Sequence, residues 1–258
     1  MNFLQAHSPS LPPAVDIVYL WVNGDDPSWQ AKRSAAAQAL SSQDTSGLAP
    51  YSNVEGRFRD NGELRYNLRA LERFFPDHGH IYIVTDAQRP AWLNDQAGLT
   101  VIDHRDLIPA AQLPTFDSGN IESYIHRIPQ LSERFFYLND DVFFGAPVRL
   151  NDWFFDDTVN RGKGFYVAWS DDATIQGDAM HPESTALVNA SRLSQLWLAS
   201  YATHSSYRHT PRTFAHSPRP MLKSMMLALE NIAPELFAKV RRTVFRSEEH
   251  TSELQSHL

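Results

Sequence analysis

The 258-residue chain contains no cysteine. That excludes disulfides, a thiolate zinc site and a cysteine nucleophile, and it suits a reducing compartment such as the cytoplasm. No stretch approaches the roughly 18 consecutive apolar residues of a membrane-spanning helix. No long basic run is present, and 23 Lys and Arg against 30 Asp and Glu give a net charge of −7, which argues against a dedicated nucleic-acid binder. The opening "MNFLQAHSPSLPP" lacks the charged start and apolar core of a signal peptide. Residues 1–14 therefore read as a flexible lead-in and the protein as cytoplasmic, with peripheral attachment to a membrane export complex left open.

What is present is ordinary for an enzyme: 42% hydrophobic and 21% charged residues, enough chain for one large α/β domain. A strand–helix rhythm runs through it. "VDIVYLWV" (Val15 to Val22) is a continuous apolar run expected as a buried strand, stopped by the turn residues "NGDDP". "HIYIVTD" (His80 to Asp86), "LTVIDH" (Leu99 to His104) and the run from Arg134 read as further strands, with one more near "GFYVAW". Ala31 to Leu40 is Ala-rich and expected to be helical, and Ser41 to Asn53 to be a loop. Leu64, Leu68, Leu71 and Phe75 recur at helical spacing before Pro76. Asn120 to Ile128 reads as a short helix, and helices are expected after Arg192 and over Met221 to Lys239. Strands alternating with helices predict a mostly parallel central sheet covered by helices, with a helical C-terminal part.

Within the apolar stretch "RFFYLNDDVFFGAPV" sit Asn139, Asp140 and Asp141. Burying an unpaired carboxylate costs several kcal/mol or more, so two in such a run call for a partner. In open α/β sheets ligands gather beyond the carboxyl ends of the strands. Several of the expected strands exit into polar residues: Asn23-Gly24-Asp25, Thr85-Asp86, Asp103-His104 and Asn139-Asp140-Asp141. A hard divalent cation bridging to a phosphate would neutralise the paired acids. A strand-capping Asp beside a solvated one is the plainer alternative.

Near the end of the chain, "RSEEHTSELQSH" (Arg246 to His257) breaks the preceding pattern and resembles the in-frame translation of a widely used DNA sequencing adapter. Residues 246–258 are set aside on that ground in the way a fusion scar is. The protein domain is expected to occupy residues 15–245.

"DIVYLWVNGDDP" (Asp16 to Pro27) resembles the first conserved region of the Stealth family. "RFRDNGELRYNLRALERFFP", "HIYIVTDAQRPAWLN" and "LPTFDSGNIESYIHRIPQLSERFFYLNDDVFFGAPV" together resemble its second, and "FAHSPRPMLKSMMLALENIAPELFAKV" (Phe214 to Val240) its third, less closely. A counterpart of the fourth region is missing, so this chain is expected to be weakly active or inactive. The resemblance implies a nucleotide-sugar-transferase-like (GT-A-like) fold and a divalent cation, Mg²⁺ or Mn²⁺. The implied activity is transfer of a sugar-1-phosphate from a UDP-sugar to a hydroxyl of a polysaccharide acceptor, releasing UMP.

That chemistry needs charge neutralisation, alignment and a proton acceptor. Asp141, with Asp140 or Asn139 beside it, is the expected metal ligand, Asp141 being preferred. His216 in "FAHSP" matches the family position of a general base, since an imidazole titrates near neutral pH; without the resemblance it reads as a helix-entry histidine. Arg57, Arg59 and Arg65 in "RFRDNGELR" suit phosphate oxygens. Asp60 suits a sugar hydroxyl or a helix cap, and Glu63 a capping acid. Glu122 and His126, four apart, would share a helix face, with Glu122 directed to substrate or metal or simply paired at the surface. Trp21, Asn23 and Gly24 follow the first strand where a base or ribose would lie, and Asp16 is a weaker candidate. A glycosyltransferase releasing UDP, or a non-catalytic carbohydrate-binding protein, would use the same residues differently.

Overall fold

The apolar run near the N-terminus becomes β1 (Val15–Leu20), the centre of a five-stranded sheet. The computed structural model describes residues 14–41, 55–157, 162–170, 186–201, 212 and 214–246. The predicted loop from Ser41 to Asn53 lies outside the described residues except Ser41, as do the lead-in before residue 14 and the tail after 246.

On one side of β1 lie β2 (Ile81–Thr85) and then β3 (Leu99–Asp103); on the other lies β4 (Arg134–Asn139), and all four run parallel. A separate antiparallel ribbon pairs β5 (Phe154–Asp157) with β6 (Gly162–Phe165). Last comes β7 (Arg219–Leu222), antiparallel to β4 at the sheet edge. This strand was not expected, since Met221 and Leu222 read as the start of a helix, and it contains Pro220. An edge strand tolerates it, since the missing N–H can face away from the ladder.

Alternation along the strands makes two cores. Ile17, Tyr19, Ile83, Phe136 and Leu138 pack toward α2 (Glu63–Phe74), whose Leu64 and Leu71 are fully buried. Val18, Val84, Phe135 and Tyr137 face the other way, toward Ile121, Tyr124, Ile125 and Met226. A parallel sheet buried on both faces is why its strands read as unbroken apolar runs. Helix α1 (Pro27–Ser41) starts earlier than its Ala-rich centre suggests; Asp26 caps it, accepting from the Trp29 N–H at 2.8 Å.

The expected helix Asn120–Ile128 is divided. A four-residue helix α3 (His104–Leu107) follows β3, then α4 spans only Ser118–Glu122, and a 3-10 turn covers Ile125–Arg127. The Ser123 hydroxyl donates to the Asn120 carbonyl at 2.7 Å, competing with the helical ladder. In consequence Glu122 and His126 part company. His126 meets Glu230 at 2.8 Å on α6 (Lys223–Ile232), which follows α5 (Ala186–Tyr201) and precedes α7 (Pro234–Val240). Burial works against ionising Glu230, but hydrogen bonds from Arg241, His126 and Arg127 prevail and hold its carboxyl down at about 2. Among the described residues no helix is long and apolar enough to cross a membrane.

Asp16 lies at the other end of the sheet from the strand exits. It is buried, and its two oxygens accept from the backbone N–H groups of His80 and Ser132, each at 2.7 Å. Those residues precede β2 and β4, so one carboxylate ties three neighbouring strands at their starts. Gly79 passes so close that an added Cβ would stand 2.2 Å from Asp16 Oδ1. The sequence candidate is thereby a fold residue. Asp16→Ala leaves two part-buried donors unmet and should lower unfolding stability by roughly 1–4 kcal/mol. Ligand binding at the opposite end should survive, and denaturant titration beside a binding isotherm checks both.

Candidate active site

The strand order β3-β2-β1-β4 reverses direction between β1 and β4, and at that point a sheet opens a crevice at its carboxyl edge. A cavity of about 510 Å³ lies there. Trp21 after β1, Asp86 after β2, His104 after β3 and Asn139 to Asp141 after β4 all line it. Of the expected strand exits, those carrying Asp86, His104 and Asn139 to Asp141 converge here, whereas Asn23-Gly24-Asp25 does not line the cavity. His216, which shortly precedes the antiparallel β7, reaches the same opening because β7 starts where β4 ends.

The turn after β4 closes when the Val142 N–H donates to the Asn139 carbonyl at 3.1 Å. Its two aspartates face different partners. Asp140 joins Asp60 and Glu63, the three offering carboxylate oxygens all within 4.8 Å of one another. Burial, then the charges of Asp141, Glu63 and Asp60, push the Asp140 carboxyl up to about 7. Three hard oxygen donors that repel one another suit a hard divalent cation, and this trio could hold a metal ion.

Asp60 and Glu63 are brought there by the turn that starts α2. The Asp60 carboxylate accepts from the Gly62 N–H at 2.8 Å, and Gly62 takes a φ of 83°, a conformation that glycine adopts without strain. Glu63 accepts from the Asn61 N–H at 2.7 Å. Glu63, expected as a capping acid, thus stands beside Asp60 and Asp140.

Asp141 pairs with His216 instead: Nε2 stands 3.2 Å and 3.3 Å from its two oxygens. Both side chains are more than half exposed, open to an incoming molecule. Arg57 and Arg59 face the cavity from the segment before α2, and Arg219 from the start of β7. Burial and the neighbouring Arg246 charge pull the Arg57 guanidinium below its usual value, yet an arginine there stays charged. Arg246, first residue of the adapter-like stretch, also lines the cavity.

Of the remaining candidates, Glu122 lies on the wall, buried, accepting from the Tyr137 hydroxyl at 2.9 Å. Tyr137 also donates toward Asn139 Oδ1 at 2.8 Å. Trp21 is a wall residue. Asn23 and Gly24 are not: Gln88 brackets the Asn23 backbone with two bonds of 2.9 Å, and Gly24 presses on the Phe58 backbone, where a Cβ would stand 2.2 Å from the carbonyl oxygen. They shape the β1 exit rather than face a ligand. Arg65 points outward, exposed, and does not line the cavity. It follows Glu63 by two residues, about 200° around the helix, which turns it away from the acids.

Two segments of the chain match known conserved regions. Residues 13–41 match "Stealth protein CR1, conserved region 1", and residues 57–162 match "Stealth protein CR2, conserved region 2". An exopolysaccharide phosphotransferase of Streptomyces coelicolor is 36% identical over 250 residues, covering 94% of this chain and 24% of the relative. A capsular polysaccharide phosphotransferase of Actinobacillus pleuropneumoniae is 43% identical over 142 residues, covering 54% and 38%. An exopolysaccharide phosphotransferase of Mycobacterium leprae is 34% identical over 234 residues, covering 90% and 40%. The chain thus spans well under half the length of each of these relatives.

The crowded acids give a pH signature. In chelator-treated protein Asp140 keeps its proton to about pH 7, whereas its ordinary value is 3.8. Between those values the folded state binds more protons than the unfolded one, so stability falls as pH rises through this window. Asp140→Asn should flatten that slope by on the order of 1–2 kcal/mol after allowing for solvent screening. Thermal melts from pH 4 to 8 read it, and an unchanged slope in the variant would show that Asp140 ionises normally.

Proposed function

The chain belongs to the Stealth family, and from that premise we propose that it is the phosphate-handling part of a transferase acting in polysaccharide synthesis. The reaction is transfer of a sugar-1-phosphate from a UDP-sugar to a hydroxyl of a glycan acceptor. The acceptor oxygen bonds to the β-phosphorus, the bond from that phosphorus to the bridging oxygen breaks, and UMP leaves with the electron pair. The observation that carries this reading is the pairing, across one cavity, of an acidic trio with a carboxylate-held histidine.

The chemistry divides among the side chains as follows. Asp60, Glu63 and Asp140 would hold Mg²⁺ or Mn²⁺, an assignment supported by their all-oxygen donor set and the raised Asp140 carboxyl. A divalent cation, when bound, supplies positive charge to the diphosphate oxygens. Arg57, Arg59 and Arg219 add charge from the cavity wall, with guanidinium forks that match phosphate oxygens. With Nε2 turned to Asp141, Nδ1 is the ring nitrogen left to take the acceptor hydroxyl's proton. Asp141 then keeps the ring in the tautomer that can accept a proton and stabilises the imidazolium formed. This assigns the two adjacent aspartates to different tasks, Asp140 to the cation and Asp141 to the base. Glu122 acts through Tyr137 and Asn139 on the turn, a supporting role. Trp21 remains the residue of the β1 exit suited to the nucleoside.

The printed names of the relatives, phosphotransferases of capsular and exopolysaccharides, support the same reaction class. The decisive assay incubates the protein with UDP-N-acetylglucosamine, Mg²⁺ and a glycan acceptor, and resolves the nucleotide products. UMP is expected, and UDP would identify a glycosyltransferase instead. His216→Ala should slow turnover by about 10²–10⁴-fold, the usual contribution of a general base, with UDP-sugar affinity little changed. A variant as fast as the parent would remove His216 from proton transfer.

A further inference from the structure

Asn67 is fully buried on the face of α2 that packs on the sheet, among apolar neighbours, and it has no part in the scheme above. An amide in such a place is costly unless both of its ends are satisfied. Here both are. Oδ1 accepts from the Tyr19 hydroxyl at 2.9 Å. Nδ2 donates to the carbonyl oxygens of Val142 at 2.6 Å and Asp140 at 3.0 Å, with the Asn139 carbonyl at 3.4 Å. Those three carbonyls belong to the turn that presents Asp140 and Asp141.

Asn67 also lies four residues after Glu63, one turn along the same helix face. Helix α2 therefore carries one carboxylate of the acidic trio and, a turn away, the amide that grips the backbone of another. The separation of Glu63 from Asp140 is set by two short rigid links: one helical turn, and one side chain bonded to main chain. Without the amide, the Asp140 and Val142 carbonyls would face the apolar side of the helix, and the turn would relax toward water. Mutual repulsion among Asp60, Glu63, Asp140 and Asp141 favours the same outward movement.

We propose that Asn67 is a positioning residue, fixing the turn Asn139–Val142 at the distance from α2 at which Asp60, Glu63 and Asp140 share one divalent cation. The inference rests on the cation reading given under the proposed function. It adds that affinity for the ion is set by a buried amide that touches neither ion nor substrate.

The test is Mn²⁺ binding, followed by the electron paramagnetic resonance of free Mn²⁺, in the parent, Asn67→Leu and Tyr19→Phe. Circular dichroism fixes a temperature at which all three are folded. Leucine is close in size to asparagine but donates nothing to the turn. Asn67→Leu should weaken Mn²⁺ binding by about 10–100-fold, the range for groups that orient metal ligands. Tyr19→Phe removes the partner of Oδ1 and lowers the melting temperature, yet leaves the Nδ2 bonds and should bind Mn²⁺ as the parent does. Parent-like affinity in Asn67→Leu overturns the proposal. So does an equal loss of affinity in both variants, which would make Asn67 a residue of fold stability alone. If Asn67→Leu does not fold, Asn67→Ser, whose hydroxyl is too short to span to the turn, must show the same loss. A parent that binds no Mn²⁺ removes the cation reading itself, a result distinct from failure of the variant.

Discussion

Four carboxylates crowd the carboxyl end of β4: Asp60, Glu63 and Asp140 within 4.8 Å of one another, and Asp141 next in the chain. Their repulsion is the constraint that the rest of the site answers. Burial adds to it and keeps the Asp140 carboxyl protonated far above its ordinary range. Each surrounding feature reads as a response. The α2 turn donates backbone N–H groups to Asp60 and Glu63, Asn67 holds the opposing turn in place, and His216 takes up Asp141. A bound cation would complete that set.

The two ends of the sheet show how one residue type serves opposite ends. Asp16 is as buried as an acid can be, but two N–H donors meet it and its place is settled by the fold. Asp140 is only partly buried, yet its nearest charges are of its own sign. A carboxylate surrounded by donors stabilises strands, while one surrounded by carboxylates is suited to a positive ligand.

Much of this was legible in the sequence because a parallel sheet buried on both faces leaves an unmistakable apolar pattern, and its polar exits follow directly. "VDIVYL" and "RFFYLNDD" gave both the strands and the acids at their ends. What stayed hidden depended on contacts across long stretches of chain. Glu63 lies 77 positions from Asp140 in the numbering, so a capping acid and a metal ligand look alike in "DNGELR". Asn67 shares the helical spacing of buried Leu64 and Leu71, and only the turn beneath it explains a polar residue on that face. The edge strand β7 took up Met221 and Leu222, expected as helix, and the helix from Asn120 was cut by a serine whose hydroxyl turned back on its own backbone. Both aspartates were expected on the metal, with Asp141 preferred; in the structure Asp140 lies with Asp60 and Glu63, and Asp141 with His216.

The central claim is that division, with Asp140 on the cation and Asp141 on the histidine. Crystals soaked in Mn²⁺ and measured for anomalous scattering test it most directly. The account predicts one anomalous peak within coordination distance of Asp60, Glu63 and Asp140, with His216 still paired to Asp141. A peak bonded to Asp141 with the trio left empty would contradict it.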